Sequence, residues 1–136
     1  MKIRTARILV NILMTVCFLL AFTYNFIFSN EFHIIVGWIT AALFAVHVGL
    51  NMKWMLNTRR SIKDGKSNKV AKKLYRTSIL LIIVWTISII TAIPAEGWGT
   101  VVEGGYSSQQ AMIFSQIHMG TAAIGLIIII VHIVST

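Results

Sequence analysis

The chain has 136 residues, of which 57% are hydrophobic and 12% charged, and a formal net charge of +8; its mean hydropathy is +0.80. A soluble domain carries about a quarter charged residues, so a water-soluble globule is excluded and the solvent is a bilayer. The length accommodates a single integral membrane domain, residues 1–136.

Four apolar runs follow along the chain. Ile8–Phe28 is 21 residues without a charge, Phe32–Met52 is 21, Thr77–Ile93 is 17 and Ala111–Val134 is 24. Crossing the hydrocarbon core takes about 20 apolar residues. Length and lack of alternation exclude barrel strands. In lipid the backbone must satisfy itself, so continuous apolar runs become helices. The expectation is an all-α membrane protein, a four-transmembrane-helix bundle running up-down-up-down. Its helices are placed at 8–28, 32–56, 74–93 and 111–134, with Pro94, the only proline, closing the third. MKIRTAR ahead of the first run imitates a signal peptide, but the run is too long for an h-region and no A-x-A-like site ends it. A retained helix is expected.

The basic residues are unevenly placed. Lys2, Arg4 and Arg7 precede the first helix. Lys53, Arg59, Arg60, Lys63, Lys66, Lys69, Lys72, Lys73 and Arg76 lie at or in the connection between the second and third, completing all 12. The other two connections carry Glu31, Glu96 and Glu103 and no Lys or Arg. This bias predicts cytoplasmic termini and a cytoplasmic middle loop. The positive charge therefore serves topology, no nucleic-acid partner is expected, and the loop suits anionic lipid head groups. Cys17 stands alone in the first helix, with no disulfide framework and no CxxCH haem-attachment motif, and reads as a small apolar filler.

The four histidines are His33, His47, His118 and His132, and both pairs are fourteen residues apart. Fourteen residues make nearly four helical turns, so both members of a pair share a face, about 21 Å apart along the axis. The second and fourth helices run in the same direction, which sets His33 level with His118 and His47 level with His132. Two opposed imidazole pairs at two depths are what two haem irons need, with both axial positions filled. Ionisable residues inside a membrane are functional by default. Thr40 and Gly125 lie seven residues from both histidines of their helix, within the small-residue stretches TAA and GTAAIG. Small side chains give a flat macrocycle room, and they equally suit ordinary helix packing. A bare metal site is less well served, because no carboxylate or thiolate stands at ligand spacing from a histidine within a span.

H33-x13-H47 with H118-x13-H132 resembles the ligand pattern of the cytochrome b superfamily. Over nearly its full length the chain is similar to a more specific group, small four-helix di-haem membrane domains of bacteria associated with extracytoplasmic flavin-binding electron carriers. The segment HVGLNMKWM at 47–55 looks like that group's ligand histidine followed by L-N-x-K-W. The resemblance implies two non-covalent haems b, the outer held by His33 and His118 and the inner by His47 and His132. It also implies that Asn51 polarises His47, that Lys53 pairs with a propionate, and that the membrane is the bacterial cytoplasmic one. For Lys53, snorkelling to the interface is the competing reading.

Helices one and three lack the glycines with which larger cytochromes b admit a haem edge; either packing by Ala21, Ser78 or Ser88 substitutes, or those helices stand further off. The extra helices and quinone pockets of the large respiratory cytochromes are also missing, so quinone or quinol enters only as an inferred exchange partner. The outer loop PAEGWGTVVEGGYSSQQ reads either as a connector with aromatic anchors or as a docking lid, with Tyr106, Ser107 or Gln116 near the outer propionates. The aromatics of FTYNFIF suit lipid and a second subunit equally, leaving homo- and hetero-oligomers open. The expected function is transmembrane electron transfer between membrane quinol and an extracytoplasmic flavin-binding or other redox protein. The chain would be a redox subunit rather than a stand-alone catalyst. The alternatives are a transition-metal-binding or transport bundle and a non-redox membrane anchor subunit.

Overall fold

The structure, a computed structural model, describes residues 3–27, 30–95 and 108–134. They form four helices, α1 (Ile3–Ile27), α2 (Asn30–Lys63), α3 (Lys69–Ala95) and α4 (Ser108–Val134). Each is long and apolar enough to cross a membrane, so the all-α class and the four spanning helices stand as expected. Residues 96–107 of the connection between α3 and α4, with Trp98, Tyr106 and Ser107, lie outside the described residues.

The helices overrun the expected ends. α2 continues to Lys63 rather than 56, and α3 begins at Lys69 rather than 74. Hydropathy marks only the part of a helix that meets hydrocarbon. The polar stretch NTRRSIK holds no glycine or proline, and nothing in it breaks a helix on entering water. α3 also runs through Pro94 to Ala95 instead of closing before the proline. So near the end of the helix, the missing N–H costs only the bond to the Ile90 carbonyl, and the turn persists.

What remains between α2 and α3 is a tight turn. Gly65 has φ +72°, the left-handed conformation that ends many helices. Its N–H donates to the Ile62 carbonyl at 3.2 Å and that of Lys66 to the Ser61 carbonyl at 2.9 Å, the paired bonds of a Schellman motif. Asn68 then caps α3, its Oδ1 accepting from the Ala71 N–H at 2.8 Å.

The chain divides into two compact units, Met1–Asn57 and Thr58–Thr136. In the first, α1 and α2 run antiparallel, since Arg7 reaches Leu50 while Ala21 reaches His33. The Arg7 guanidinium donates to the Leu50 carbonyl from Nε at 3.2 Å and from Nη2 at 2.7 Å. On α2 the half-buried or buried positions include His33, Thr40, His47 and Trp54, spaced by seven.

In the second unit α3 and α4 form an antiparallel hairpin. Trp85, 7% exposed, is its main buried side chain. It lies over Gly125, where an added Cβ would sit 3.2 Å from the indole Nε1 and 3.7 Å from Val84 Cγ1. Small residues let membrane helices approach closely, and here the glycine admits an indole. The opposite side of α4 exposes Ile113, Ile117, Ile124, Ile127 and Ile130. In lipid such a face needs no protein cover.

Because the space at Gly125 is filled by Trp85, Gly125→Val overpacks the α3–α4 contact. Thermal unfolding of the detergent-solubilised protein should show a loss of about 1–3 kcal/mol, with Gly125→Ala affected much less.

Candidate functional site

An imidazole in an apolar helix carries one N–H that needs an acceptor, because an unsatisfied polar group is costly away from water. All four histidines are half-buried, and each meets such an acceptor through Nδ1, on the helix that precedes its own. In the first unit the His33 Nδ1–H donates to the Ala21 carbonyl at 3.0 Å. The His47 Nδ1–H donates to Asn11 Oδ1 at 2.7 Å. In the second unit the His118 Nδ1–H donates to the Ser88 carbonyl at 2.9 Å, with Ser88 Oγ 3.3 Å from the same nitrogen. His132 Nδ1 lies 3.2 Å from Thr77 Oγ1.

These partners fix the tautomers. A carbonyl can only accept, so Nδ1 carries the proton in His33, His118 and, through the Asn11 amide oxygen, His47. The case of His132 follows from its neighbour. The Thr77 hydroxyl has one proton and donates it to the Leu74 carbonyl at 3.0 Å. With its proton there, it accepts from the His132 Nδ1–H; the opposite tautomer requires the hydroxyl to turn from the Leu74 carbonyl, which Ser78 Oγ also reaches at 2.8 Å. In each neutral ring the lone pair is therefore on Nε2, the nitrogen farther from the backbone. Metal-ligating histidines show this arrangement, one ring nitrogen donating to a carbonyl or other oxygen while the other binds.

Regular helix geometry positions the rings. His118, Gly125 and His132 are spaced by seven on the side of α4 that meets α3. His33, Thr40 and His47 repeat the spacing on α2. Thr40 is 4% exposed, and its hydroxyl donates to the Val36 carbonyl at 2.7 Å, which leaves a compact, satisfied side chain midway between the histidines. Gly125 holds the corresponding place on α4, and the space its missing side chain leaves is occupied by Trp85.

Two expectations are corrected in detail. Asn51 touches His47 through the backbone, its Nδ2 donating to the His47 carbonyl at 2.8 Å; the imidazole itself is served by Asn11. Ser88, read as a packing residue, supplies the acceptor for His118, as Ala21 does for His33. Lys53 is exposed, as is Gln116. Sequence reasoning missed Asn11 and Thr77. The available signal was an amide within the first turns of the first apolar run and a hydroxyl at the start of the third, polar groups that a membrane span carries at a cost.

Among the described residues, no three His, Cys, Asp or Glu side chains cluster as a metal ion's ligand set would require. No protein-family model, no curated protein and no solved structure matches the chain.

Nitrogen-15 spectra of histidine-labelled protein above neutral pH should show Nδ1–H as the major tautomer at all four rings. A majority Nε2–H form at any of them would contradict the hydrogen bonds described.

Proposed function

We propose that the protein is a transmembrane electron conduit carrying two bis-histidine haems b, one held by His33 and His118 and the other by His47 and His132. The observation that carries this reading is the common state of the four imidazoles. Each has its Nδ1 proton bound by the neighbouring helix, which turns a basic Nε2 into a ligand of fixed direction. Four unrelated core histidines have no reason to share one tautomer and one kind of partner at one repeated spacing.

The donor set separates haem from a bare metal ion. A structural or catalytic zinc takes three or four protein ligands, and no such group exists among the described residues. A haem iron takes its four equatorial ligands from the macrocycle and asks the protein for one or two axial ones. Two imidazoles per site answer that demand, and the haem then supplies a one-electron couple with no coordination position left for substrate. α1 holds the rings of His33 and His47 through Nδ1, and α3 those of His118 and His132.

The rest of the reading follows the same resemblance to small bacterial di-haem cytochromes b. The protein sits in a bacterial cytoplasmic membrane with both termini and the α2–α3 turn inside, as the Lys and Arg bias requires. His33 and His118 then form the outer pair and His47 and His132 the inner one. Electrons pass between membrane quinol and an extracytoplasmic flavin-binding or other redox protein.

Purified after expression with ample haem, the protein should show a dithionite-reduced α-band of b type and two haems per chain by pyridine haemochrome. His33→Ala and His47→Ala should each remove one haem, and the double variant both. Colourless wild-type protein would overturn the proposal, and one haem per chain would overturn its two-site form.

A further inference from the structure

The partners of the four Nδ1 protons differ in kind. His33 and His118 donate to the backbone carbonyls of Ala21 and Ser88, the latter with Ser88 Oγ 3.3 Å from the same nitrogen. No substitution there removes the acceptor. His47 and His132 instead meet only side-chain oxygens in the bonds described, Asn11 Oδ1 and Thr77 Oγ1. The two hairpins match in this respect. His118 and His132 each stand 85 positions after His33 and His47, and Thr77 stands 66 after Asn11. Each hairpin thus contributes one side chain whose only polar neighbour across the helix pair, as described, is the inner histidine.

We infer that Asn11 and Thr77 are positioning residues that set the ligand strength of His47 and His132, making the inner pair separately adjustable from the outer one. The inference rests on the di-haem reading for its redox consequence, but not for the tautomers. The Asn11 amide is a full carbonyl acceptor and its contact is the shortest of the four, at 2.7 Å. The Thr77 hydroxyl is a weaker acceptor. It gains strength from passing its own proton to the Leu74 carbonyl, since linked hydrogen bonds polarise one another. A ring that donates from Nδ1 is a more basic ligand at Nε2. A more basic ligand favours the oxidised iron and lowers the reduction potential of its site. With the acceptor removed, the ring also becomes free to carry its proton on Nε2, where it competes with the metal.

Thr77→Val keeps the shape of the side chain and removes the hydroxyl; Asn11→Leu does the same for the amide; Thr77→Ser keeps the acceptor. The test uses the full chain in lipid nanodiscs and reads two quantities. In the haem-free protein, nitrogen-15 spectra should show His132 losing its Nδ1–H preference in Thr77→Val and His47 losing it in Asn11→Leu, with His33 and His118 unchanged. In the haem-loaded protein, redox titration should show one potential raised and the other unmoved. Haem retention at the raised site should be weaker by about 10- to 100-fold. Thr77→Ser should restore both readouts, an outcome that general loss of folding does not mimic. Wild-type tautomers and potentials in both variants would overturn the inference, as would equal shifts of the two potentials. If the wild-type chain retains no haem, the di-haem reading falls, and the tautomer spectra alone decide the roles of Asn11 and Thr77.

Discussion

The structure turns on where an imidazole proton goes when water is absent. In hydrocarbon an unpartnered N–H is costly, and a helix cannot accept it within its own ladder without distortion. Each histidine-bearing helix therefore depends on the helix before it. That dependence sets the register of each hairpin. His47 reaches Asn11 and His33 reaches Ala21, and the antiparallel run of α1 against α2 follows. The same holds for His132 with Thr77 and His118 with Ser88. Register and tautomer come from one set of four hydrogen bonds.

This gives α1 and α3 a task that their composition conceals. Both lack glycine, and neither carries a histidine. Their contribution is oxygen atoms at chosen heights: two carbonyls, an amide and a hydroxyl. Trp85 adds a mechanical element on α3, filling the place opened by Gly125 between the two heights. In the first unit Arg7, one turn from Asn11, is drawn onto the Leu50 carbonyl, which braces the same end of the hairpin.

Much of this was legible before any coordinates. The apolar runs gave four helices, because a bilayer admits little else, and the equal spacing of His33–His47 and His118–His132 singled out four rings that each meet an oxygen of the preceding helix. Helix ends were less legible. Hydropathy stops where lipid stops, whereas α2 and α3 carry on as helices through TRRSIK and KVAKKL. The acceptors were the hardest to read. Ala21 and Ser88 act through backbone oxygens, which every residue has, so no residue type could reveal them. Asn11 and Thr77 act through side chains and were readable in principle, but only once α1 is known to pass His47 and α3 to pass His132. Asn51, one turn from His47 in sequence, looked the better partner. It spends its amide on the backbone of its own helix, as a residue four positions on along a helix readily does.

The seven-residue rhythm of His118, Gly125 and His132 has a geometric cost. Seven residues fall short of two full turns by about 20° in a straight helix. Over the fourteen from His118 to His132 the shortfall doubles to about 40°. A straight α4 thus presents its lower ring rotated about the axis from its upper one. The same fourteen residues on α2 impose the same rotation there. Two helices with unequal spacings would lose step with each other in height, in azimuth or in both. The equality of the two intervals, which nothing in membrane insertion demands, gives α2 and α4 the same rotation from one ring to the next.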